Sequence, residues 1–238
     1  SSDVCSSDLS GSPGEERERI FFKDVSTDAA GIQILNIQDF RRTTFHEVGH
    51  AVVNDPAKTG ETLAWLTTRG TGNFAGYARY DRTQVSLTRS VAIAKIGTML
   101  GGRMAEVLMG FEPSHGAMND FIQATTMAED AVLKYRLVAP DVAIMVADRA
   151  IALQDPIVQG EIQKLLRLGQ EYAEARIRSR IALFRLTSAR LLKYSTIDGA
   201  TFKTLEQIAG DPHYLEKERV QTGCNRVLSP HSGGGPSI

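Results

Sequence analysis

Three observations predict a mainly α fold with one small β-hairpin. Apolar residues recur at helical spacing through most of the chain after residue 141. An earlier segment, about Ile37 to Val53, reads as a buried helix: between Arg42 and Asp55 its only ionisable residue besides two histidines is Glu47. A single pair of segments, 62–68 and 74–80, is rich in strand formers and joined by a glycine-rich turn. The 238 residues suffice for a sizeable core, and 42% hydrophobic with 23% charged residues is ordinary for a globular chain. The net charge of −1 gives no basic footprint, so nucleic acid is not an expected partner. Cys5 and Cys224 lie near opposite ends and form neither a metal cluster nor a disulfide framework, which fits a reducing compartment.

Each element follows in order. Residues 1–19 are polar and repeat the triplet Ser-Ser-Asp; they read as disordered and as a candidate non-native leader. No basic region and apolar core mark a signal peptide. The domain is expected over 20–210. Asn36 is the expected N-cap of the first helix, and Asn54-Asp55-Pro56 ends it because proline pushes the preceding residue out of helical space. After the hairpin, residues 84–109 read as a helix. Gly101-Gly102 lies inside it, where each glycine costs roughly 1 kcal/mol against alanine, so a close helix contact or a kink is expected. Lys95, Arg103 and Glu106 interrupt its apolar run, which excludes a membrane span; Arg103 and Glu106, three apart, are expected to pair in support of the fold. A further helix runs from Asp120 to about Tyr135, and another over Asp141–Leu153. Asp155-Pro156 opens a long helix that is expected to break near Arg178–Ile181. A turn at Thr196–Gly199 precedes a last helix, Ala200–Ile208, and 211–238 reads as a disordered tail.

The chemistry is concentrated in Phe45-His46-Glu47-Val48-Gly49-His50-Ala51. Positions four apart share a helix face. His46 and His50 can therefore grip one metal ion, and Glu47 can take a proton from a water beside it. That is the zincin arrangement, and its chemistry is hydrolysis. The competing interpretation is a core helix with two hydrogen-bonded histidines. A catalytic zinc needs three protein ligands and an open position. The spacing leaves Asp120, His115, Glu61 and Glu106 as candidates for the third. Asp120, with Gln123 three residues on, also fits the N-cap of a capping box. A metzincin pattern is excluded, because its third histidine would fall at Pro56.

Four segments together resemble the peptidase domain of the FtsH-type ATP-dependent zinc metalloproteases. They are the His46–His50 helix, Thr68-Arg69-Gly70 followed by Gly76-Tyr77, Leu100-Gly101-Gly102-Arg103-Met104-Ala105-Glu106, and Gly116-Ala117-Met118-Asn119-Asp120-Phe121 with Ala124-Thr125. A weaker match continues from Val158 to Leu192 and Thr196–Gly199, so the resemblance covers roughly 38–205. It implies a zincin-like helical peptidase domain with Zn²⁺ on His46, His50 and Asp120 and with Glu47 as the catalytic base. It further implies polypeptide substrates, a homo-hexameric ring, an ATPase (AAA+) module upstream or in trans, and a cytoplasmic domain in a parent protein that is a candidate for membrane anchoring. The hairpin is the candidate edge for an extended substrate backbone, its alternative role being a small hairpin packed on helices. Two segments depart from the family: Tyr135-Arg136-Leu137-Val138 replaces Tyr-Gly-Met-Ser, and Ser114-His115 replaces a threonine pair. No Gly-x-x-x-x-Gly-Lys-[Ser/Thr] phosphate loop is present. The other functional readings are a catalytically inactive metal-binding scaffold and a helical oligomerisation module. An intact Glu47 argues against the scaffold.

Overall fold

The computed structural model describes residues 37–70, 75–112, 114–138, 142 and 148–214. Helix α1 spans Ile37–Val53 and the single-turn α2 spans Pro56–Thr59. Strands β1 (Glu61–Thr67) and β2 (Tyr77–Arg82) form the expected hairpin. Helices α3 (Arg89–Leu108), α4 (Met118–Leu133) and α5 (Arg149–Ala152) follow. The chain continues through α6 (Pro156–Ser179), α7 (Ile181–Tyr194), strand β3 (Thr196–Asp198) and α8 (Gly199–Gly210). The architecture is mainly α with a three-stranded antiparallel sheet in the order β2-β1-β3. Among the described residues no helix is long and apolar enough to cross a membrane.

Several boundaries follow from local chemistry. Asp55 is extended ahead of Pro56, which stops α1. The last carbonyls of α1 are satisfied from α6 and its end: Arg180 Nη1 donates to Val52 O at 2.9 Å and Arg176 Nε to Val53 O at 3.3 Å. Two cations thus lie at the negative end of the helix dipole. The long C-terminal helix breaks at Arg180, inside the expected window, where φ −117° and ψ 29° leave helical space. Asp155 caps α6, accepting from Ile157 N–H, with Pro156 in the first turn.

Several expectations differ from the structure. The helix expected from 84 starts at Arg89, because Thr88 takes the N-cap position and accepts from Val91 N–H. The helix expected over 141–153 is reduced among the described residues to Arg149–Ala152. Asp148 is extended and caps that turn, accepting from the amides of Ala150 and Ile151. The turn expected at Thr196–Gly199 is the strand β3, paired with Trp65–Thr67, and Asp198 then caps α8. Asn36, Phe74, residues 1–36 and the tail from 215 lie outside the described residues.

The core forms two clusters. One joins Val48 and Val52 of α1 to Leu66, Phe184, Leu191 and Ile197; the other joins Ile96 and Leu100 of α3 to Ala128, Val158 and Leu165. The glycine pair marks a close crossing of α1 and α3. A Cβ at Gly49 would lie 2.3 Å from Gly101 O, and one at Gly101 would lie 2.8 Å from Gly49 O. Helix propensity alone makes Gly49→Ala stabilising by about 1 kcal/mol. Backbone against backbone cannot yield, so the contact should win: Gly49→Ala is expected to lose about 1–3 kcal/mol. For a chain of this size that lowers Tm by roughly 2–10 °C in a circular-dichroism melt. A raised Tm would show that the helices separate freely.

Candidate metal centre

Helix α1 brings His46 and His50 onto one face, with ring centroids 4.7 Å apart and Nε2 atoms 3.1 Å apart. The opposing group arrives on α4. A short turn, His115–Ala117, leads into that helix, with Ser114 Oγ accepting from Gly116 N–H. The helix begins at Met118, so Asp120 stands in its first turn and is not the N-cap. Its carboxylate faces α1. Asp120 Oδ2 lies 2.9 Å from His46 Nε2 and 3.4 Å from His50 Nε2. His46, His50 and Asp120 are the described group able to hold a metal ion, with all ligand atoms within 4.8 Å of one another.

Helix α3 fixes the orientation of both imidazoles. His46 Nδ1–H donates to Glu106 Oε1 at 2.6 Å, and His50 Nδ1–H donates to the Thr98 carbonyl at 2.7 Å. Gly102 lies flat against the His46 ring, where a Cβ would come within 2.6 Å of three ring atoms. With each proton committed to Nδ1, a neutral imidazole turns the Nε2 lone pair inward. Two lone pairs and a carboxylate oxygen then converge on one point, an arrangement that calls for a cation. This nitrogen and oxygen donor set suits Zn²⁺. The residues present therefore fit the metal.

Without a metal, protons take the cation's place in the site. Burial by itself would lower the His46 pKa, but hydrogen bonds to Asp120 and Glu106 outweigh it and push it up to about 10. His50 moves the same way, burial again being overcome by Asp120. Burial would raise the Asp120 pKa, yet the two imidazoles hold that carboxylate well below its ordinary range. The site thus favours a positive charge between its nitrogens and its carboxylate. Glu47 is 7% exposed beside the histidines, and its Cγ would lie 2.9 Å from a Cβ at Gly76, just before β2. Burial raises its pKa, against the pull of His50 and His46.

The other candidate ligands stand apart. His115 is exposed on its turn, and Glu61 on β1 pairs with Lys95 at 2.7 Å. Glu106, only 1% exposed, reaches the metal-distal nitrogen of His46 and lies 3.9 Å from Arg103 Nη1. It orients a candidate ligand instead of being one. The Thr98 carbonyl has no signature in the sequence, whereas the Gly101-Gly102 pair did signal a close approach.

The model of Peptidase family M41 matches residues 33–205. The chain belongs to peptidase family M41. The His46–His50 helix, the hairpin, Glu106 and Asp120 all lie within the span matched by the M41 model. The chain is 28% identical over 200 residues to the ATP-dependent zinc metalloprotease FtsH of Oenococcus oeni, covering 76% of this chain and 28% of that protein. It is also 28% identical over 199 residues to the FtsH of Streptococcus pneumoniae serotype 4, covering 78% and 30%. A shorter match to the FtsH of Aster yellows witches'-broom phytoplasma is 36% identical over 103 residues, covering 42% and 15%. The chain therefore spans less than a third of the length of these curated relatives.

Proposed function

We propose that this chain is a zinc-dependent metalloendopeptidase and the proteolytic unit of an ATP-dependent protease. His46, His50 and Asp120 would hold Zn²⁺, and Glu47 is the general base. The observation that carries the reading is the convergence of two inward imidazole nitrogens and one carboxylate, with both ring protons committed elsewhere. When bound, zinc supplies Lewis-acid polarisation of a peptide carbonyl and acidifies water. Glu47 takes the proton of the attacking water and hands it to the leaving amine. The outer edge of β2, which begins beside Glu47, aligns an extended substrate backbone.

The relatives' names support an ATP-driven context for the parent protein. In it an AAA+ motor, upstream or in trans, feeds unfolded or extracted polypeptides to a homo-hexameric peptidase ring on the cytoplasmic side. The test is bound zinc per chain together with casein hydrolysis. One zinc with cleavage supports the peptidase; zinc without cleavage favours a scaffold or a unit silent without its motor; no zinc removes the reading. Glu106→Gln should weaken zinc binding by about 10- to 100-fold by loosening His46, as read by competition with a chelator. Unchanged affinity would remove Glu106 from that role.

A further inference from the structure

Strand β2 ends the sheet: β1 lies on one side of it, and among the described residues no strand lies on the other. Its side chains alternate between two faces. Ala78 and Tyr80, opposite Leu66 and Leu63, turn inward onto the core. Tyr77, Arg79 and Asp81, opposite Thr67, Trp65 and Thr62, form an exposed row on the outer face. Two charges in that row are uncompensated. The ion pairs of this part of the sheet converge on Glu61, from Lys95 and Arg82. Arg79 and Asp81 take part in none among the described residues, and the β1 residues opposite them carry no charge. The row begins at the candidate metal centre. Gly76, directly before β2, lies against Glu47, where a Cβ would come within 2.9 Å of Glu47 Cγ. Arg79 and Asp81 follow Gly76 by three and five residues, about 10 Å and 17 Å along an extended strand.

We propose that Arg79 and Asp81 are specificity-determining residues. In an extended substrate lying along the outer edge of β2, they select an acidic residue and, two positions away, a basic one. The inference rests on the peptidase reading and on that edge as the substrate's place. A strand added to β2 presents every second side chain on the outer face, beside this row. Opposite charges facing each other across two strands attract, and like charges repel. The free flank of Arg79 therefore favours a carboxylate, and that of Asp81 an ammonium or guanidinium group. The two-residue spacing on β2 imposes the same spacing on the substrate whichever way its chain runs. Direction decides only which of the two charges comes first.

The test uses internally quenched peptides in which each position on either side of the cleaved bond carries glutamate or lysine in turn, with the cleaved bond verified by mass spectrometry. The wild-type chain is expected to favour glutamate by about threefold to tenfold in kcat/KM at one position, and lysine by a similar factor two positions from it. Arg79→Glu should reverse the first preference and leave the second. Asp81→Lys should reverse the second and leave the first. Both side chains are exposed, and a ratio measured on one preparation does not depend on how much of it folds. A wild type without this pair of preferences, or preferences that the variants keep, overturns the proposal while the peptidase reading stands. If no peptide is cleaved, the peptidase reading is what fails, and the edge is tested by binding. Trp65 is the only tryptophan of the chain and lies opposite Arg79, so its fluorescence reports on a peptide at this edge. Tighter binding of the glutamate peptide, reversed in Arg79→Glu, supports the selection; equal binding, or none, overturns it.

Discussion

Glu47→Gln is expected to keep zinc and to lose peptide hydrolysis, by about a hundredfold to ten-thousandfold in kcat. Glutamine has the same shape, so it preserves the packing of this buried position against Gly76 and the α1 face. What it cannot do is accept a proton. The native carboxylate is well suited to that step, because burial raises its proton affinity above that of an exposed glutamate. The same burial makes the charge costly to hold, so the glutamine variant should melt no lower than the wild type. Zinc analysis, casein hydrolysis and a thermal melt on the two proteins decide the matter. Retained cleavage would give the base role to another group. Lost zinc would mean that Glu47 serves the metal directly.

The parts of the molecule that were readable from sequence are those set by local chemistry. The four-residue spacing of His46 and His50 defines a helix face wherever the helix sits. Pro56 stops α1, Pro156 opens α6, and Gly101-Gly102 announces the crossing with Gly49. The misread parts are set by distant partners. Thr196-Ile197-Asp198 is too short to carry strand periodicity and becomes a strand only by pairing with Trp65–Thr67, far away in the chain. Glu106 does lie beside Arg103 as expected, at 3.9 Å, but nothing local announced that it also meets His46 sixty residues away. The start of α4 was misplaced by two residues for a related reason: Asp120 has the residue type of a cap, but tertiary structure directs its carboxylate to the histidines. No local pattern distinguishes those two uses of an aspartate.

Removing that carboxylate should have the second large effect. Asp120→Ala leaves two imidazole nitrogens 3.1 Å apart with no anionic group opposite them. Two neutral ligands do not complete a zinc site, which takes three protein ligands. Zinc per chain is expected to fall from one to near zero after dialysis against trace chelator. Linkage makes the same loss visible in stability. A metal present at a hundred times its Kd stabilises the folded chain by about 2.7 kcal/mol, provided the unfolded chain does not bind it. For a domain of this size that corresponds to roughly 5–10 °C in Tm. Chelator should therefore lower the Tm of the wild type by about that amount and leave the Asp120→Ala melt where it is. Glu47→Gln should respond to chelator as the wild type does, because its ligands are intact. If Asp120→Ala still holds one zinc and still loses stability to chelator, the third ligand is another residue and the donor set built on α1 and α4 is wrong. If neither protein responds, no metal joins the two helices, and in the wild type they meet at this site through the contact of Asp120 with His46 and His50.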